Sequence, residues 1–289
     1  MQVVTLIAPP GGLPDSFVAG LHARWTGGPL RWLAPEEAAE FEVEHEPADL
    51  WAAWEALQAQ GIDLLLQPDQ GRRKGMLLAD MDSTMIQQEC IDELAFVAGV
   101  GDRVASITAR AMNGEIGFEG ALRERVALLK DLPETVIAEV LRDRITFMPG
   151  GAALLATMKA RGAHAVLVSG GFLSFARPVA AHLGFDEARA NTLLSCDGKL
   201  TGEVAEPILG REAKVATLQE VSQRLGLAPQ DVLAVGDGAN DLGMLRLAGT
   251  GVALHAKPAV QAECRLRVNH GDLTALLYLQ GYSREEFVG

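Results

Sequence analysis

The sequence predicts an α/β protein, a parallel sheet carrying an inserted helical cap and preceded by a small α+β domain. Three observations point there. Short continuous apolar runs at residues 76–79, 164–168, 232–235 and 251–254 are separated by helical stretches, as expected of strands covered on both faces. Three of these runs pass directly into unusual polar clusters, and in open α/β sheets ligands gather at the carboxyl ends of strands. Residues 1–70 follow a different order, β-α-β-β-α-β.

Composition narrows the possibilities. Hydrophobic residues make up 48% of the 289-residue chain but aromatics only 5%, so the core must be built from Ala, Leu and Val. A formal net charge of −13 argues against general nucleic-acid binding, which needs a basic face. An anionic substrate stays admissible, because a few cations and a metal can reverse the field inside one cleft. Cys90, Cys196 and Cys264 form no CxxC pair, which disfavours a disulfide framework or a thiolate zinc site and suits a reducing compartment. No apolar run approaches the ~20 residues of a membrane helix. The first ten residues read as a strand, not a signal peptide, so a cytoplasmic location is expected.

In chain order, strands are expected at 3–8, 30–33, 41–44 and 62–66, with helices at 15–25 and 49–58. The polar, glycine-flanked stretch Gly71-Arg72-Arg73-Lys74-Gly75 reads as a linker. A small domain at 1–70 and a larger one at 75–289 are therefore expected. Between the first two strands of the larger domain lie four helical stretches, at 91–97, 104–111, 118–129 and 134–142. They are broken at Gly99-Val100-Gly101, Asn113-Gly114 and Leu132-Pro133. This is too long for one crossover helix, and a helical cap over about 90–147 follows.

The chemistry concentrates at strand ends. Asp80 and Asp82 stand two apart, and period-two geometry puts both carboxylates on one side of the chain. One can attack phosphorus while binding a metal, and the other can donate and accept a proton. Ser169-Gly170-Gly171 offers a hydroxyl and exposed amides that can hold phosphate oxygens, although an ordinary helix cap has the same composition. Lys214 can neutralise a transferring phosphoryl group, but surface lysines are common. Asp237, Asn240 and Asp241 cluster oxygen ligands without histidine or thiolate, which favours a hard ion such as magnesium. Gly236-Asp237-Gly238 is no dinucleotide fingerprint, because Asn240-Asp241 replaces the expected pattern.

This ordered set resembles the haloacid dehalogenase-like (HAD) phosphohydrolases, whose first motif stands here as Asp80-Met81-Asp82-Ser83-Thr84. Residues 80–89 look like the phosphoserine phosphatase branch, which carries a glutamate at the offset of Glu89. The stretches 112–118 and 122–126 resemble that branch's cap signature, and 168–172, 197–202 and 236–241 resemble its later motifs. Residues 1–70 look at most like the ferredoxin-like, ACT-type domain that some members carry.

The resemblance implies a HAD-like Rossmannoid fold and Mg2+-dependent hydrolysis of O-phospho-L-serine through an aspartyl-phosphate, the last step of L-serine biosynthesis. It implies Asp80 as nucleophile and Mg2+ ligand, and Asp82 as general acid and base that also binds the metal through its main-chain carbonyl. Asp237 would complete the ligands, with Asp241 behind it. Ser169, Gly170 and Lys214 would hold the phosphate with Asn240 nearby, while Glu89 would meet the substrate ammonium and Arg125 its carboxylate. A zwitterionic amino acid does need one anion and one planar fork. Another small phosphomonoester, or phosphoryl transfer to an alcohol, would use the same motifs. An amino-acid sensor with a degenerate catalytic part is disfavoured by the intact Asp80, Asp82, Lys214 and Asp237. A homodimer and an amino-acid effector at the N-terminal domain stay open.

Overall fold

A computed structural model describes every residue except 113 and 114, together with the side chain of Met112. Two residues of the expected cap signature, Asn113 and Gly114, therefore lie outside the described residues.

The N-terminal part runs β1 (Gln2–Ile7), α1 (Asp15–Arg24), β2 (Leu30–Ala34), β3 (Ala38–Val43), α2 (Leu50–Gln58) and β4 (Asp63–Pro68). Its antiparallel sheet has the order β2-β3-β1-β4, so the split βαββαβ pattern is realised. β3 begins three residues before the expected 41, because Ala38, Ala39 and Glu40 lack the alternation that marks a strand and are drawn in by pairing with β1. One face, with Val4, Leu6, Phe41, Leu64 and Leu66, packs under α1 and α2.

The larger part begins with β5 (Met76–Ala79) and then leaves for four helices, α3 (Cys90–Val97), α4 (Gly101–Met112), α5 (Phe118–Ala127) and α6 (Val136–Asp143). It returns through α7 (Gly151–Ala160), β6 (His164–Phe172), α8 (Leu173–Leu183), β7 (Glu187–Asn191) and the hairpin β8 (Leu193–Cys196) and β9 (Lys199–Val204). It closes with α9 (Arg211–Arg224), β10 (Val232–Gly236), α10 (Leu242–Leu247), β11 (Thr250–Leu254), α11 (Pro258–Glu263), β12 (Leu266–Val268) and α12 (Ala275–Leu279). The sheet order is β12-β11-β10-β5-β6-β7, and every pairing is parallel.

Its central strands are apolar throughout because both faces are covered. Leu77, Ala79, Leu167, Leu233 and Val235 join one core with α7, α8 and α12. Their alternating neighbours Met76, Leu78, Val166, Val232 and Ala234 join another with α9, α10 and α11. Two strands were not expected. β7, Glu-Ala-Arg-Ala-Asn, is an edge strand with charged side chains facing out, and β12 is only three residues long, so neither carries a buried run. The hairpin β8-β9 also packs on the cap, with Asp131 N–H donating to the Leu200 carbonyl (2.9 Å) and Leu200 N–H to that of Leu132 (2.9 Å).

The presumed linker is tied down on both sides. The Arg72 guanidinium donates to Glu40 (2.5 Å) and to the Leu279 carbonyl (3.1 Å), while Lys74 N–H donates to Gln280 (3.0 Å). Asp63, wholly buried, accepts backbone N–H groups of Asn269, His270 and Gly271 at 2.8–3.0 Å. The second face of the N-terminal sheet thus rests on the C-terminal segment.

Candidate active site

The parallel register aligns the polar clusters. Ala79 pairs with Val235 on one side and Leu167 on the other, so Asp80 and Asp237 emerge at the carboxyl ends of β5 and β10, level with Ser169 in the last turn-like stretch of the adjacent β6. Beyond Asp80 the chain turns sharply, with Ser83 in the left-handed region (φ 55°) and the N–H groups of Thr84, Met85 and Ile86 all returning to the Met81 carbonyl. That turn brings residue 89 back over the strand end, where Ser83 Oγ donates to Glu89 (2.7 Å).

Asp80 is buried, and Lys214, only 1% exposed, places its ammonium 2.6 Å from both Asp80 and Asp241. Lys214 is thus no surface lysine but the base of the site. Burial alone would lower its pKa, yet the two carboxylates outweigh that and hold it high. Burial pushes Asp80 well above the usual carboxylate range, with repulsion from Asp241 adding to it and Lys214 opposing it. Asp241 is engaged at both oxygens, one taking Lys214 and the other the Gly238 N–H at 2.9 Å. Its fit requires glycine at 236, where a Cβ would sit 2.4 Å from the carboxylate carbon. Asp237 accepts from Thr84 Oγ1 (3.3 Å) and is pushed up to about 6, by burial first and Asp241 second.

Asp82 is held at both oxygens. Oδ1 accepts the Cys90 N–H at the start of α3 (2.8 Å), and Oδ2 accepts the Ser169 hydroxyl (3.0 Å). Ser169 Oγ in turn accepts the Gly171 N–H (2.8 Å). Residue 171 must be glycine, since a Cβ would approach Asp82 Oδ2 to 2.7 Å.

A cleft of about 370 Å3 opens above these groups. Asp80, Asp82, Glu89, Arg125, Ser169, Gly170, Asp237 and Asn240 line it, so every expected site residue except the deeper Lys214 reaches it. Arg125 lies on the cap helix α5, with Nε donating to the Ala121 carbonyl (3.3 Å). Glu89 keeps an exposed edge at the rim, while lost hydration on its inner side and then repulsion by Asp82 push it up to about 7. Asp92, Thr108, Phe118 and Lys257 also line the cleft and were not singled out from the sequence. Phe118 shares a face of α5 with Leu122 and Arg125 at spacing i, i+4, i+7, which was a usable signal. Lys257 stands three residues beyond β11, the apolar strand that runs into no acidic or Ser-Gly cluster.

Among the described residues, Asp80, Asp237 and Asp241 bring carboxylate oxygens within 4.8 Å of one another. Among the described residues, Lys214 is the only cation in contact with that trio, so the donor set is short of positive charge and fits a divalent ion. Both oxygens of Asp241 already take a partner, Lys214 and the Gly238 N–H, whereas Asp80 and Asp237 each have one oxygen so engaged among the described residues. The Asp82 side chain is outside this trio.

Comparison with known proteins agrees with this geometry. Residues 77–246, more than half of the chain, match the sequence profile of the haloacid dehalogenase-like hydrolases. The chain is 46% identical over 205 residues to a phosphoserine phosphatase of Haemophilus influenzae, an alignment covering 71% of this chain and 65% of that protein. A HAD family hydrolase of Salmonella enterica serovar Typhi superposes with a TM-score of 0.87 at 30% identity, covering 96% of this chain and 97% of that one. A substrate-bound phosphoserine phosphatase superposes with a TM-score of 0.66 at 40% identity, covering 71% of this chain and 97% of that one. On its strand-end motifs, its six-stranded parallel sheet and these matches, the chain belongs to the haloacid dehalogenase-like hydrolase family.

Proposed function

We propose that this protein is a phosphoserine phosphatase, hydrolysing O-phospho-L-serine to L-serine and phosphate with Mg2+ as its metal. One observation carries the reading. A single cleft presents phosphoryl-handling groups at its floor (Asp80, Asp82, Ser169, Gly170, Asp237 and Asn240, with Lys214 beneath) and, beside Asp92 and Lys257, a carboxylate and a guanidinium, Glu89 and Arg125, at its rim. That rim pair is what an α-ammonium and an α-carboxylate require. Free L-serine as product would make this the last step of L-serine biosynthesis.

The metal would be held by Asp80, Asp237 and the Asp82 carbonyl. When bound it supplies charge that offsets the anionic phosphoryl group and the crowded carboxylates. The chain's own residues account for the steps. An Asp80 oxygen attacks phosphorus while the ester P–O bond breaks and Asp82 gives its proton to the departing seryl oxygen. Water then attacks the aspartyl-phosphate, Asp82 takes its proton, and the bond from phosphorus to Asp80 breaks. Lys214 and the Ser169–Gly171 turn balance charge on the transferring group. The Ser169 hydroxyl, which donates to Asp82 in this structure, is positioned to serve both the phosphate and the acid.

The test is phosphate release from L-phosphoserine in Mg2+, compared with a panel of small phosphomonoesters. A kcat/KM for L-phosphoserine at least tenfold above the panel is expected. Equal turnover across the panel would remove the substrate assignment, and none on any member would remove the activity.

A further inference from the structure

The Ser169-Gly170-Gly171 turn is a bulge in the sheet. Val168 pairs with Arg189 and Phe172 with Asn191, so three residues of β6 stand against the single Ala190 of β7. The side chain of Asn191, 2% exposed, fills the base of that bulge. Its Nδ2 donates to the Gly170 carbonyl (2.9 Å) and the Leu209 carbonyl (3.1 Å), and its Oδ1 accepts the Leu209 N–H (2.7 Å).

The consequence follows from peptide planarity. The Gly170–Gly171 peptide has its carbonyl held by Asn191 and its N–H held by Ser169 Oγ. Ser169 Oγ in turn donates to Asp82 Oδ2. One buried amide therefore orients, through a continuous run of hydrogen bonds, the turn that faces phosphate and the carboxyl that moves the proton. The same amide fastens residue 209, which leads through Gly210 into α9 and Lys214. Phe118 of the cap covers this junction from above, since a Cβ on Gly170 or Gly210 would meet its ring at 3.2 or 3.3 Å.

We propose that Asn191 is a positioning residue for phosphoryl transfer, setting the Ser169–Gly171 turn and, through Ser169, Asp82. This rests on the phosphatase reading above but not on the choice of phosphoserine. Asn191→Asp retains size and the acceptor for the Leu209 N–H while turning a carboxylate against two carbonyls; Asn191→Ser removes the reach altogether. Both are assayed on L-phosphoserine and on p-nitrophenyl phosphate, at protein concentrations corrected for folded fraction. Misplacement of this kind costs about 100-fold in kcat. That loss is expected equally on both substrates, because the amino-acid end of the cleft is untouched.

The pH profile separates positioning from mere packing. Protonation of the new buried carboxyl restores a donor, so the gap between Asn191→Asp and wild type should narrow as pH falls. A loss under threefold, a loss confined to phosphoserine, or a gap that does not change with pH overturns the inference. A wild type idle on every phosphomonoester overturns the parent reading instead. If neither variant folds, the Asn191 side-chain amide of the wild type can be followed by 15N NMR during titration with inorganic phosphate. Slow exchange and a shift at saturation support the role, and an amide indifferent to phosphate overturns it.

Discussion

Lys214→Met removes one charge from the floor of the cleft and keeps most of the stem. In the native protein the ammonium sits 2.6 Å from Asp80 and from Asp241, with all three side chains at most 7% exposed. At an effective dielectric constant near 20 each contact is worth roughly 6 kcal/mol of Coulomb attraction. Much of that is offset by the several kcal/mol each ion lost on leaving water. What the variant exposes is the uncompensated remainder, and breaking a buried pair by deleting one partner costs about 3–5 kcal/mol. For a chain of this size that lowers Tm by on the order of 10 °C.

The loss has a pH signature. Without the lysine, Asp80 faces Asp241 unshielded, so its pKa rises further above the unfolded value. The native variant then binds more protons than the unfolded chain, and its stability falls as pH rises. The destabilisation should be larger at pH 8 than at pH 5. Urea melts of metal-free wild type and variant at both pH values measure it. A variant within 1 kcal/mol of wild type at pH 8, or a difference that ignores pH, would refute the account of Lys214 as the charge that holds the floor together.

Four further outcomes are expected. Asp80→Asn should abolish turnover and trapping of an acid-stable acyl-phosphate, and Asp82→Asn should lower kcat by about 10²–10⁴-fold; near-wild-type rates in purified variants would remove these roles. Arg125→Ala and Glu89→Gln should each depress kcat/KM for phosphoserine by about tenfold to a hundredfold relative to p-nitrophenyl phosphate, the scale of a lost charge-assisted pair, and equal losses on both substrates would reassign them to cap packing. Asp80 and Asp237 both have raised pKa values, Asp237 to about 6, so metal-free protein should lose stability as pH rises from 4 to 7, because the native state holds protons the unfolded chain has released. Mg2+ should then raise Tm more at pH 7.5 than at pH 5, and calorimetry showing the opposite order would exclude these carboxylates as its site. Asp63→Ala strands one buried and two part-buried amides, at about 1–3 kcal/mol for the buried one, so proteolysis should reach residues 1–70 first, and unchanged protease resistance would show that the two sheets do not depend on this contact.

The sequence by itself determined the features that rest on neighbouring residues. Apolar runs flanked by glycine are legible because a strand covered on both faces needs every side chain apolar, and Asp80, Ser169 and Asp237 are legible because each directly follows such a run. The cap helices are legible from their breaks. Tertiary structure decided the rest, where pairing over long separations outweighs local preference. β7 forms from a charged pentapeptide because β6 lies beside it, and Asn191 at its end looks like any polar residue until the bulge of β6 closes over it. Lys214 reads as a surface lysine until α9 packs on the sheet and sets it between Asp80 and Asp241. Glu89 and Arg125, 36 residues apart, meet at one rim only because the chain leaves β5 for the cap and turns back above it. Local propensity writes the strand ends, but which strand ends are neighbours is a property of the sheet order, and that order is set by the packing of the whole chain.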